Sequence, residues 1–129
     1  MLDVLRELRS REIPLALVTN GETDFQRRHI EALGLDDMVD VALISEAEGL
    51  RKPDRALFHR AAERLGVSPA HCLFVGDNPV VDVLGAHAAG MQTAWLGVAS
   101  DWPADLPPMP GIAISALADL LPITERPSR

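Results

Sequence analysis

Residues 72–91 read CLFVGDNPVVDVLGAHAAGM. A short apolar run, 72–75, reaches Gly76 and then two carboxylates, Asp77 and Asp82, before a stretch of small residues. An apolar run of this length bounded by turn residues reads as a buried strand, and the small-residue stretch over 80–89 as a helix in close packing. Open parallel α/β sheets take their ligands outside the carboxyl ends of the strands. This one segment therefore sets paired acids where such a fold would hold a ligand.

Working outward, the same alternation recurs on both sides. Leu2, Leu5 and Leu8 share a face at helical spacing, which predicts a helix over 1–10 that stops before Pro14. Residues 13–19 (IPLALVT) form an apolar strand entering the Asn20-Gly21 turn. A helix capped by Thr23 or Asp24 and closed by Gly34 follows, then a weaker strand over 39–44. Pro53 suits a first helical position, and 55–65 reads as a helix stopped by Gly66. A fourth strand is expected over 93–96, and Ile112 to Leu121 reads as a short extended piece and a helical turn. Strand-helix alternation means βαβ units. The expected fold class is α/β, a Rossmann-like parallel sheet with helices on both faces in three layers. The proline-rich run SDWPADLPPMPG at 100–111 cannot continue a strand or helix and is expected as a surface loop. Residues 1–122 are expected as one unit and 123–129 as a flexible tail.

Composition bounds what this unit can do. Its 129 residues and 47% apolar fraction suffice for one core. A net charge of −7 without clustered Lys or Arg argues against nucleic acid as a partner. No apolar run approaches the ~20 residues that span a bilayer, and the N-terminus lacks a signal-peptide core, so a soluble, cytoplasmic protein without a membrane partner is expected. The single cysteine, Cys72, forms no internal disulfide and reads as core packing. His29, His59, His71 and His87 lack the spacing of a zinc site. Trp95 reads as core, Trp102 as cover for a sheet edge or a partner surface, and Glu46 and Glu48 as a solvated face.

Parallel strands present their carboxyl ends together, so three loops should converge. The first brings the Thr19 hydroxyl and the amides of Asn20 and Gly21, suited to an anionic oxygen. The second brings Lys52, a point charge for a phosphoryl or carboxylate group. The third brings Asp77 and Asp82, hard oxygen ligands of the kind Mg²⁺ prefers. Each has a plainer reading: a turn at Thr19, a solvated lysine, Asp77 as a cap for the helix near Pro79, and Asp82 facing water in the first turn. Their order on successive strands favours a shared crevice and phosphoryl transfer.

LALVTNG, RKPDRALFHRAAERLGV and LFVGDNPVVDVLGAHAAGM, in this order, resemble the second, third and fourth motifs of the haloacid dehalogenase-like (HAD) hydrolases. The resemblance implies a Rossmann-like core, Mg²⁺ dependence and hydrolysis of a small phosphorylated molecule through an aspartyl-phosphate intermediate. It implies Thr19 binding the phosphoryl oxygen, Lys52 steadying the nucleophile and transferred group, Asp77 as a Mg²⁺ ligand and Asp82 as a second acid supporting the metal. Two alternatives stay open, a non-catalytic interaction module of the same fold and a metal-free 2-haloacid dehalogenase.

The family's first motif, Asp-x-Asp-x-Thr or Ser after a strand, has no counterpart upstream of Thr19, where the only aspartate is Asp3 in a helical pattern. The resemblance places that missing strand between those ending at Thr19 and Gly76. The expectation is a fragment with little or no turnover alone, a core whose remaining strands pair directly, or one that pairs with another chain as a homodimer or strand swap.

Overall fold

The computed structural model describes residues 2–124. Helix α1 (Leu2–Ser10) leads to β1 (Ala16–Thr19), α2 (Thr23–Ala32), β2 (Val41–Ile44), a single turn α3 (Ser45–Glu48) and α4 (Arg55–Leu65). Then come a 3-10 turn (Pro69–His71), β3 (Leu73–Gly76), a π-helical turn (Pro79–Leu84) running into α5 (Gly85–Ala88), β4 (Gln92–Leu96) and β5 (Ile112–Ile114). Helices α2 and α4 stop, as expected, at Gly34 and Gly66. Helix α1 makes the same stop with Glu12 at φ 62°, where Ile13 N–H reaches back to the Leu8 carbonyl at 3.2 Å.

All strand pairs are parallel, as the alternation requires, but they form two sheets, β1-β2 and β3-β4-β5. Among the described residues no backbone ladder joins the two, so direct closure of the sheet is not what the chain does. Helix α4 spans the break. Leu57 and Ala61 pack with Leu43 and Val18 over the first sheet, while Phe58 and Ala62, one position on, pack with Phe74 and Met91 over the second. On a helix, neighbouring positions turn by about 100°, so two adjacent apolar rows can serve two sheets. Near the chain ends Arg11 Nη1 donates to the carbonyls of Leu121 (2.6 Å) and Thr124 (2.7 Å), a second tie.

Several local expectations shift. Strand β1 begins at Ala16 because Ile13 closes α1, Pro14 has no N–H, and the Leu15 amide bonds the Asp40 carboxylate at 2.8 Å. Neither Thr23 nor Asp24 caps α2. Glu22 holds that position without a side-chain bond, and Glu46 Oε1 accepts the Thr23 amide at 3.2 Å. Pro53 precedes α4 rather than opening it, with Asp54 between. The expected helix over 80–89 starts as a π-helical turn. The expected tail lies mostly outside the described residues; its first two, Ile123 and Thr124, bond the Leu120 carbonyl.

Candidate active site

The β1 end is fixed by side chains that reach other loops. Asn20 Oδ1 accepts the Lys52 amide at 2.9 Å while its Nδ2 donates to the Lys52 carbonyl at 3.1 Å, a two-way clasp on the backbone that carries the lysine. The Gly21 amide donates to Ser45 Oγ at 2.8 Å, so this part of the expected anion nest is occupied by a hydroxyl from the end of β2. Thr19 is half-buried beside Asn20, and its hydroxyl lies 3.4 Å from the Asn20 carbonyl.

Lys52 is not a solvated loop charge. Its Nζ meets Asp82 Oδ1 at 2.7 Å, with the two side chains only 13% and 7% exposed. The ammonium also lies 5.7 Å from the centre of the Phe74 ring on β3. Charge, hydrogen bond and ring together hold the lysine over the break between the sheets.

At the β3 end Asn78, and not Asp77, caps the turn that follows. Asn78 Oδ1 accepts the amides of Val80 (3.0 Å) and Val81 (2.9 Å) and caps the π-helical turn. That leaves the Asp77 carboxylate exposed, with no side-chain partner among the described residues. Asp82 is buried rather than facing water, and its Oδ2 accepts the Asn78 amide at 3.1 Å. Gly76 makes this possible: a Cβ there would sit 2.4 Å from Asp82 Cβ, inside any real contact. Glu48, read as solvated, is instead an ion-pair partner of Arg60 (3.0 Å) and Arg64 (3.1 Å).

The expected residues thus divide. Asn20, Lys52 and Asp82 form one hydrogen-bonded chain across three strand ends; Thr19 adjoins Asn20, and Asp77 adjoins Asn78, whose amide bonds Asp82. Ser45, Asn78 and Trp95, whose indole bonds the Asp77 carbonyl at 2.9 Å, were not singled out as site residues. Asn78 carries a readable signal, an Asn before Pro at a strand-to-helix turn. Burial pushes the Cys72 thiol up from its ordinary range, in keeping with packing rather than nucleophilic duty.

As a donor set for Mg²⁺ the site is partial. No group of three His, Cys, Asp or Glu side chains capable of holding a metal occurs among the described residues. Asp77 offers an open carboxylate, whereas both Asp82 oxygens already accept hydrogen bonds. Mg²⁺ often keeps several waters and takes one or two protein carboxylates, so Asp77 fits as part of its shell.

In open parallel α/β sheets ligands lie outside the carboxyl ends of the strands, which is where this chain sets a lysine, two acids and a clasped polar loop. The family model for "haloacid dehalogenase-like hydrolase" matches residues 1–90, and the chain belongs to that family. It is 44% identical over 92 residues to phosphoserine phosphatase of Thermus thermophilus, a match covering 71% of this chain and 37% of the relative. A HAD phosphatase structure from Thermococcus onnurineus superposes with TM-score 0.86 at 31% identity, covering 98% of this chain and 58% of that one. The HAD-hydrolase YfnB from Bacillus subtilis, bound to magnesium, superposes with TM-score 0.81 at 29% identity, covering 95% and 53%. The chain spans about half the length of these proteins, or less. Among the described residues no helix is long and apolar enough to cross a membrane.

Proposed function

We propose that this chain is the binding portion of a Mg²⁺-dependent phosphatase acting on a small phosphate ester through an aspartyl-phosphate intermediate. The observation that carries the reading is the 2.7 Å Lys52–Asp82 contact with Asn20 clasping the same lysine, which gathers three strand ends beside an open Asp77. In this reading the Thr19 hydroxyl holds a phosphoryl oxygen. Lys52 offsets its charge, Asp82 fixes the lysine, and Asp77 holds Mg²⁺. The ion, when bound, supplies Lewis-acid charge stabilisation. The nucleophilic aspartate would come on a strand lying in the break, between β1 and β3, and these 129 residues contain no such Asp-x-Asp run. Related phosphatases and a magnesium-bound neighbour support this reading.

A second reading, a non-catalytic module of the same fold, is favoured by the Gly21 amide and both Asp82 oxygens being already bonded within the chain. Titration calorimetry with Mg²⁺ and inorganic phosphate tests the reading. Joint uptake that is lost in Asp77→Asn is expected, and silence in the unmodified chain would remove the phosphatase reading. In a generic phosphate-ester assay with Mg²⁺ the isolated chain should show little or no turnover. Robust activity abolished by Asp77→Ala would overturn the proposal that the nucleophile lies elsewhere.

A further inference from the structure

The Asp77 carboxylate has no side-chain partner among the described residues, so the position of this exposed acid is set by its backbone alone. The β3-β4 ladder ends at the Gly76–Trp95 pair, one residue before Asp77. There the Trp95 indole takes over from the ladder: its Nε1–H donates to the Asp77 carbonyl at 2.9 Å. Trp95 is 6% exposed, and Trp102 meets it edge-on with ring centres 5.2 Å apart. Trp102 is in turn held by its own Nε1–H on the Pro107 carbonyl at 2.9 Å. The proline-rich loop is thereby connected through two indoles to the backbone of the open acid.

We propose that Trp95 is a positioning residue for the Asp77 loop, setting where the acid presents its carboxylate. A buried indole is rigid, and a single N–H bond from it fixes a carbonyl that would otherwise lie beyond the last ladder bond. The consequence for metal uptake rests on the reading of Asp77 given above; the consequence for the loop does not.

The test compares Trp95→Phe, which keeps an aromatic ring and removes the N–H on the Asp77 carbonyl, with Trp102→Phe, which keeps that N–H and removes only the outer packing and the bond to Pro107. Amide hydrogen exchange at Asn78, Val80 and Val81 should quicken about tenfold in Trp95→Phe, while the β1-β2 amides stay unchanged. Trp102→Phe should leave those three amides near their original rates. By calorimetry, Mg²⁺ affinity of the full chain should fall about tenfold in Trp95→Phe, as when a partner behind a ligand is lost. In NMR spectra Mg²⁺ should move the Trp95 indole N–H resonance more than that of Trp102. Unchanged exchange in Trp95→Phe, or equal quickening in both variants, would overturn the proposal. Silence toward Mg²⁺ in the unmodified chain with the expected exchange pattern would remove the phosphatase reading and leave the positioning role standing.

Discussion

The two sheets distribute burial differently among their strands. In the first sheet each strand has a single partner, yet β2 buries Leu43 and Ile44 while β1 has no fully buried residue. In the second sheet β4, paired on both sides, buries Thr93, Ala94 and Trp95, and β3 buries none. Of the four strands paired on one side only among the described residues, β1 and β3 bury no residue, and these two carry Thr19 and Asp77 at their ends. Pairing alone does not decide burial, and the site lies at the ends of the two strands that bury no residue.

If α4 is the joint between the sheets, its two apolar rows should report on different sides. Phe58→Ala should cost about 3–5 kcal/mol and Leu57→Ala nearly as much, since both side chains are fully buried. Urea unfolding gives the totals, and native-state hydrogen exchange separates the sides. The Phe58 variant is expected to loosen β3 and β4 first, the Leu57 variant β1 and β2. Equal loosening of both sheets in both variants would mean the break is no boundary.

The Lys52–Asp82 contact is the polar counterpart of that joint. Removing the cation leaves a buried carboxylate without its partner, so Lys52→Met should destabilise by roughly 3 kcal/mol. Neutralising the acid as well, in Lys52→Met with Asp82→Asn, should recover most of the loss, because the amide oxygen still accepts the Asn78 N–H. Denaturant midpoints of the two variants check this. A double variant no more stable than the single one would show that the pair contributes through packing instead.

How much of this the sequence disclosed depends on the range of the interaction. Periodicity and glycine stops placed α1, α2, α4 and the strands, because each rests on neighbours within a few residues. The separate sheets are a matter of long-range pairing, though the missing Asp-x-Asp strand pointed to a break. At the site, Lys52 and the acids were legible as types at strand ends. Their division of labour was not, because it depends on close approaches: Asn78 displacing Asp77 as cap, Gly76 admitting Asp82, and Ser45 occupying the Gly21 amide. The indole of Trp95, eighteen residues from Asp77, left no local signal at all.

The smallest effect should fall on one side alone, at the far edge of the second sheet. After β5, the exposed Asp119 carboxylate accepts the Ser115 amide (2.9 Å), the Ala116 amide (3.2 Å) and the Ser115 hydroxyl (3.1 Å). The Ser115 amide bond above all, then the other two, hold its pKa below the ordinary 3.8. A carboxyl depressed on folding contributes stability that is complete above its unfolded value and is lost as pH falls through the folded one. Acidification from pH 5 to below the ordinary carboxylate range should therefore fray the 3-10 helix Leu117–Leu120 while β1 and β2 keep their protection. Solvent screens so exposed a group, so the change should be visible in the Ser115 and Ala116 amide resonances rather than in the unfolding midpoint. Asp119→Ala should abolish the pH dependence of those two resonances, and persistence of it in that variant would assign the titration to another group.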